Sequence, residues 1–545
     1  MLKNLLQRGY FPSELPSPFE TRSYARLLAR PSLPPSPYSY GKKGPNYSSR
    51  AFPYNLARRG KLRRALSIPN PVNFFHIASL VAEHWTDLET HYSKTSQSLS
   101  RPVFSMKGRA FEWERGFDSL PHAKLKTRNG ARYIVRTDIS NFFPSIYTHS
   151  IPWALHTKPI GKLLKKFGDN LGNKLDIAIR NGQEAQTKGI PIGPDTSFII
   201  AEVIATAIDD ALIKNIGTPY HRYVDDYEFG CTTGQETDTV LGKLQEVLEE
   251  YELTLNSSKT STLELPSNID PLWIHDLASF KFRETRKGQA KDLMHYFDLS
   301  IKQFTGNQDD PVIKYAIKRT SSLDINPANW SLYESLILQW ATAEAGVLEV
   351  SIDLLKHYAD LGFSIDRSKV KKVLEHTIRI HAAKGHTSEL AWAIWGMILF
   401  GLPFDDDVVS TLSSIENSVV ALLCLDARNQ KLIAPSTSFT TWQTLMNEKE
   451  LQGPNWLLAY EALRKKWLPP AGSTDYLTTA PGFSYLTAND VYFYNVGRTF
   501  SYNPEKKRYW FFKTLSGYEE LGHPSNELTS SLTNDQELPR EIPEQ

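Results

Sequence analysis

The sequence predicts an α+β fold: a mixed region built on a few strands, followed by a half that is almost entirely helical. Three observations carry this expectation. Two runs rich in β-branched and aromatic residues, ARYIVRTDIS and HRYVDDYEFG, lie in the first half among turn-forming residues. From about Asp292 onward, apolar residues recur at helical spacing in segment after segment. At 545 residues the chain also exceeds what one hydrophobic core usually serves, so several domains are expected.

The elements follow in chain order. The stretch to about Pro102 alternates Pro-rich pieces such as PSLPPSPYSY with short basic segments read as helical, NLARRGKLRRALSI among them, and implies no compact fold of its own. ARYIVRTDIS is a strand centred on Tyr133, Ile134 and Val135, preceded by the turn pair Asn129-Gly130 and ended by Asp138. GIPIGPDTSFIIAEVIATAIDDAL opens as a Gly/Pro loop and becomes a helix, with Asp195 or Thr196 as N-cap and Ile200, Val203, Ile204, Ala207, Ile208 and Ala211 on its apolar face. A hairpin around Asp225 and the helix TDTVLGKLQEVLEEYEL come next. Successive amphipathic helices after Asp292 point to an α-solenoid or helical bundle. The final HPSNELTSSLTNDQELPREIPEQ is polar and acidic, the composition of a disordered tail.

The net charge of +2 conceals a split. Residues 1–137 hold 23 Lys+Arg against 8 Asp+Glu, and the remainder 39 against 52. Cations interleaved with Tyr and Phe suit a phosphate backbone with stacking bases, although a basic surface without a ligand reads the same way. Cys231 and Cys424 alone rule out a disulfide framework or a cysteine zinc site and suit a reducing cytosol. No apolar run approaches a membrane span, and the N-terminus lacks the apolar core of a secretory signal. His376, His381 and His386 recur every five residues, which scatters them around a helix, so they are expected at the surface or at caps. Trp392 and Trp395 are expected in the core. No Walker loop, GxSxG or HExxH is present.

HRYVDDYEFG poses an electrostatic problem. Asp225 and Asp226 are like charges at a hairpin tip, and burying even one unpaired charge costs roughly several kcal/mol. A solvated turn is one solution; a divalent metal site, which needs further carboxylate, is the other. Asp138, at a strand end, is the candidate third ligand. Three such carboxylates would hold two Mg²⁺ about 3.5–4 Å apart, the arrangement for in-line phosphoryl transfer to an attacking 3′-hydroxyl.

Four motifs in order strengthen the metal reading. RTDISNFFPSIY resembles motif A of reverse transcriptases, GIPIGPDTS motif B, RYVDD motif C, and LNSSKT motif D, over roughly residues 120–265. The resemblance implies a right-hand polymerase (fingers, palm, thumb) followed by an all-α HEAT-like helical domain. Its metal ligands would be Asp138, Asp225 and Asp226, holding two Mg²⁺ with Mn²⁺ able to substitute. Phe143 stands five positions after Asp138, where the family keeps an aromatic under the sugar; plain core packing is the alternative. Lys259 matches the motif D proton donor to pyrophosphate, unless it is an exposed lysine without a task. Gly189, Pro191, Ile192 and Gly193, with Pro194, would bring backbone near nucleotide and primer, or form an ordinary turn before a helix. Lys126 and Arg132, upstream, are candidates to hold the triphosphate. Pro-Ile-Gly replaces the common Pro-Gln-Gly of motif B, and Ile192 can only pack where Gln would hydrogen-bond.

That motif B, DISNFFPSIY, the N-terminal RGYFPSELPSPFET and the helical half together resemble the bacterial abortive infection, or defence-associated, reverse transcriptases of the AbiK type. This implies a cytoplasmic enzyme of anti-phage defence. It would be a homo-oligomer that uses dNTPs and releases a DNA product without membrane contact, with untemplated, protein-primed synthesis as one mode. Tyr38, Tyr40, Tyr47, Tyr492, Tyr494 and Tyr502 are all candidate primers, and nothing in the sequence selects one. A retron-like or intron-like enzyme copying a non-coding RNA template is the alternative. A non-catalytic nucleic-acid-binding defence scaffold is the alternative of another class. The implied division is 1–120, basic region and fingers; 121–290, palm with fingers elements; 291–325, a thumb-like segment; 326–465, helical repeats; and 466–545, an extension with an acidic tail from about 523.

Overall fold

In the computed structural model, residues 1–58, 62–115, 119–308 and 310–497 are described. The tail expected from about residue 523, and Tyr502, lie outside them. No helix among the described residues is long and apolar enough to cross a membrane.

The basic N-terminal stretch is compactly folded, contrary to expectation. Strands β1 (Phe52–Ala57) and β2 (Arg63–Ile68) form an antiparallel hairpin from the segment read as helical, NLARRGKLRRALSI, together with the residues just before it. The reason is a period-two apolar pattern begun upstream of that segment: Phe52 faces Ile68 and Tyr54 faces Leu66, and all four are buried. Burying one face of a hairpin overrides the helical preference of the arginines between. The aromatics read as a stacking platform are core residues. Tyr10, Tyr24, Tyr38, Tyr47 and Tyr54 are all buried, and Tyr10 and Tyr24 donate hydrogen bonds to the carbonyls of Pro69 and Pro71. The cations among the described residues of this stretch are exposed or partly exposed, where a solvated charge costs least.

Strands β3 (Pro102–Phe104) and β4 (Phe111–Trp113) make a second small hairpin. The central sheet is antiparallel and four-stranded: β5 (Tyr133–Asp138), β6 (Tyr220–Tyr223), β7 (Asp226–Cys231) and β8 (Ser261–Glu264), in spatial order β6-β7-β5-β8. The helix Asp195–Ile213 covers one sheet face and is buried along nearly its whole length, as its dense apolar sequence requires. Neither expected N-cap holds: Pro194 is the cap and Asp195 the first helical residue, because its carboxylate is engaged by Arg109 and the Phe111 amide.

In the second half, helices pack in two layers. Trp330–Ala343, Arg367–Ala382 and Asp406–Ser413 follow one another in one layer; Leu348–Asp360, Thr387–Leu399, Ser418–Asn429 and Trp456–Arg464 follow in the other. Trp392 and Trp395 are buried there, and the Trp392 indole donates to the Glu14 carbonyl. The chain then returns to its start. The Glu20 amide donates to Phe493 and the Asn495 amide to Pro18, with the Phe493 ring packed among Tyr10, Phe11 and Tyr24.

Candidate active site

Strand register brings the three aspartates together. Asp138, the last residue of β5, pairs directly with Asp226, the first of β7, so the two side chains share one sheet face. Asp225 occupies the two-residue turn between β6 and β7, and its carbonyl accepts from the Ile139 amide at 3.2 Å. Asp138 is 3% exposed, and its Oδ1 has no hydrogen-bond partner among the described residues. Asp226 is exposed.

The cluster's electrostatics follow from this crowding. Desolvation, then the Asp225 charge, pushes the Asp226 carboxyl up to about 7; Asp138 adds to the shift and Lys259 opposes it. Asp225 is raised by burial and by Asp138, and is lowered in part by Lys259 and Arg64. Lys259 supplies the nearest positive charge, its ammonium hydrogen-bonding Asp138 Oδ2. Partial burial is the largest single influence and works against that charge, but the hydrogen bond to Asp138 and the charges of Asp138, Asp226 and Asp225 together outweigh it, and the Lys259 pKa rises. A buried carboxylate oxygen without a donor, beside two acids that resist ionisation together, is what a divalent cation would satisfy. The donor set, three carboxylates, suits Mg²⁺ or Mn²⁺.

The motif B loop lies against the turn after β5. The Gly189 amide donates to Ile146 at 2.7 Å and the Ile190 amide to Phe143 at 3.0 Å. Gly189 (φ +85°) and Gly193 (φ +129°) adopt backbone that disfavours a side chain, and a Cβ on Gly193 would stand 2.9 Å from the Pro12 ring. The Ile192 carbonyl accepts from the Ser67 amide of β2, so the basic hairpin and this loop are hydrogen-bonded. Pro191, Ile192 and Phe143 are partly exposed, unlike the buried Phe142.

Lys126 and Arg132 are not brought to the aspartates. Arg132 immediately precedes β5, six residues from Asp138, or roughly 20 Å along a strand. It pairs there with Glu264. Lys126 is exposed on the helix Leu120–Arg128, which packs against the Gly230 end of β7, also away from Asp226. Arg64 of β2, by contrast, is near enough for its charge to help lower the Asp225 pKa.

Two supports were not found in the sequence. Arg222, fully buried, donates to Glu202, Asp209 and the Val224 carbonyl, beneath the turn that carries Asp225. Arg109 ties the Gly193 carbonyl to Asp195. Glu202 and Asp209, seven residues apart and flanked by apolar residues on a mostly apolar helix, were a readable signal for a buried cation opposite.

Residues 68–292 match the family described as "Reverse transcriptase (RNA-dependent DNA polymerase)". The chain therefore carries a reverse transcriptase domain, an RNA-directed DNA polymerase. No curated protein matches the chain. Among solved structures, apo telomerase from Candida tropicalis is similar at a TM-score of 0.32 and 11% identity, over 76% of this chain and 75% of that one.

Proposed function

We propose that the reverse transcriptase domain joins deoxynucleotides at Asp138, Asp225 and Asp226, and that the whole chain does so in defence against phage. The observation that carries the chemistry is the convergence of these three carboxylates, with Asp138 Oδ1 buried and unpartnered. Two divalent ions held by them would lower the charge barrier to attack of a 3′-hydroxyl on the α-phosphate. Around that centre, Lys259 stands where it can hand a proton to departing pyrophosphate. Phe143 presents a partly exposed ring beside the motif B loop, where it can exclude a 2′-hydroxyl. Gly189, Pro191, Ile192 and Gly193 line the approach for nucleotide and primer.

The defence role rests on the likeness of motif B, DISNFFPSIY and RGYFPSELPSPFET to abortive infection reverse transcriptases. We read residues 121–290 as palm, 291–325 as thumb-like, and the two-layered helices as HEAT-like repeats. For protein priming, Tyr38, Tyr47 and Tyr494 are buried, which leaves Tyr40 and Tyr492, both partly exposed, among the described candidates.

The test incubates purified protein with each labelled dNTP and Mg²⁺, with and without template, beside an Asp225→Ala, Asp226→Ala variant. Incorporation by the wild type alone is expected. Label that runs with the protein until protease treatment supports protein priming, and RNA-dependent label free of protein supports templated copying. Equal inactivity of both proteins under all conditions, co-purified RNA included, would favour a binding scaffold. Protection of cells from phage by the wild type, lost in the variant, tests the biological role.

A further inference from the structure

We propose that His381, His386 and Glu389 form a binding site for one divalent transition-metal ion of the zinc class, independent of the aspartate cluster. The helix Arg367–Ala382 ends just after His381, Gly385 (φ +61°) reverses the chain, and His386 caps the helix Thr387–Leu399. Because the helix stops between them, the two histidines meet across the turn, where an unbroken helix would have scattered them. Their Nδ1 atoms lie 2.8 Å apart, and each stands 3.3–3.4 Å from Glu389 Oε1.

Two of those separations match a coordination shell; the third, between the Nδ1 atoms, is a hydrogen-bond length that an ion would have to open by about half an ångström. With zinc bonds of roughly 2.0–2.1 Å, neighbouring ligand atoms of a tetrahedron are about 3.3 Å apart. The three atoms lie close enough to become one face of such a tetrahedron once the histidines part slightly, and the His-x₄-His spacing falls in the range zinc sites use. Two imidazoles and one carboxylate favour zinc and its neighbours over Mg²⁺. Facing Nδ1 atoms can share only a single proton, and an ion would take its place. The carboxylate is oriented in advance: Glu389 is 1% exposed, and Oε2 accepts from Ser388 Oγ at 2.6 Å and Arg63 Nη2 at 2.7 Å. Both histidines keep some solvent contact, 16% and 23%, which gives an ion access and leaves water to complete its shell.

Arg63 is the competitor. Its Nη1 also donates to Glu389 Oε1, so a bound ion must share or displace that bond. Arg63 is, moreover, part of the anchor of the β1–β2 hairpin on this helix, together with bonds from the Asn55 and Ala57 amides to Thr387 and Ser388. The site thus makes two opposite predictions: removing a histidine weakens binding, and removing Arg63 strengthens it.

The experiment uses the full chain carrying Asp225→Ala and Asp226→Ala, stripped with chelator and titrated with Co²⁺, then with Zn²⁺ in competition. One equivalent of Co²⁺ with the intense visible bands of a four-coordinate ion, displaced by Zn²⁺, is expected. His381→Gln and His386→Gln should each weaken binding at least about tenfold, and Arg63→Met should tighten it. Circular dichroism confirms folding, and Zn²⁺ should raise the thermal midpoint of the parent more than that of either histidine variant. Absence of saturable binding at micromolar ion, or binding that both histidine variants retain, would overturn the site. An arginine variant that binds no more tightly would overturn the competition.

Discussion

Arg222 donates from Nη1 to the carbonyl of Val224 at 2.8 Å, and the rest of its guanidinium is held between Glu202 and Asp209. Val224 needs that hold. It is β-branched yet has φ +56°, in the left-handed region that hairpin turns usually fill with Gly or Asn. Such a conformation costs about 1–3 kcal/mol and persists only where its surroundings impose it. The Ser100 hydroxyl completes the hold by accepting from the Val224 amide at 2.8 Å. The residues aimed by this turn are Asp225 and Asp226, so the buried ion cluster acts on the site through the backbone.

Two substitutions separate stability from positioning. Arg222→Met leaves two buried carboxylates without a cationic partner and should destabilise by about 3–5 kcal/mol, read from denaturant unfolding. Ser100→Ala removes one neutral bond and should cost only about 1 kcal/mol. Yet it should still raise the Mg²⁺ concentration needed for half-maximal dNTP incorporation. A Ser100→Ala enzyme with wild-type metal dependence would leave the turn's geometry to Arg222 alone.

Lys259 offers a different separation. It is largely exposed, so Lys259→Ala should leave the melting temperature nearly unchanged. The rate of single-nucleotide incorporation should fall by about 10²–10⁴-fold, the usual worth of a proton donor. Lys259→Arg restores the charge beside Asp138 but gives up a proton far less readily. It should return the Mg²⁺ dependence to the wild-type level more fully than the rate, seen by comparing kcat with that dependence.

Phe143 is tested by substrate choice. If its ring blocks a 2′-hydroxyl, Phe143→Ala should lower the ratio of kcat/KM for dNTP over rNTP by about 10–200-fold. If the ring only packs, discrimination stays and stability alone falls. Its partial exposure, against full burial of Phe142, favours the first outcome.

The convergence of the three aspartates was legible in the sequence because it is local. Asp138 ends a strand, Asp225 and Asp226 share a turn, and hydrogen-bonded register brings them face to face. What the sequence did not reach is which distant segments meet. Lys126 and Arg132 are near Asp138 in sequence, but a strand holds its ends apart, and Arg132 sits at the wrong end. Arg64 is 74 residues upstream of Asp138 and reaches Asp225 only because Phe52, Tyr54, Leu66 and Ile68 fold its segment into a hairpin. His381 and His386 do lie at a helix end and a cap, as expected, but they meet there, because the spacing that would scatter them was measured on a helix that in fact ends between them.

Acid should weaken the fold through three buried histidines. His76, His91 and His221 are each under 7% exposed, and burial depresses each pKa from 6.5 to about 4. Their ring nitrogens are engaged by the Pro37 carbonyl, the Val203 carbonyl and the Thr127 hydroxyl. The unfolded chain therefore binds more protons than the folded one between pH 6.5 and 4. By linkage, each histidine's contribution is fully present above pH 6.5 and is lost as pH falls through that window, at up to about 1.4 kcal/mol per pH unit. Denaturant midpoints measured at pH 7.5, 6 and 5 should fall progressively. His91→Gln, which keeps a donor for Val203 but cannot be protonated, should flatten the decline by about one histidine's share. A variant as acid-sensitive as the wild type would show that His91 takes its proton without unfolding.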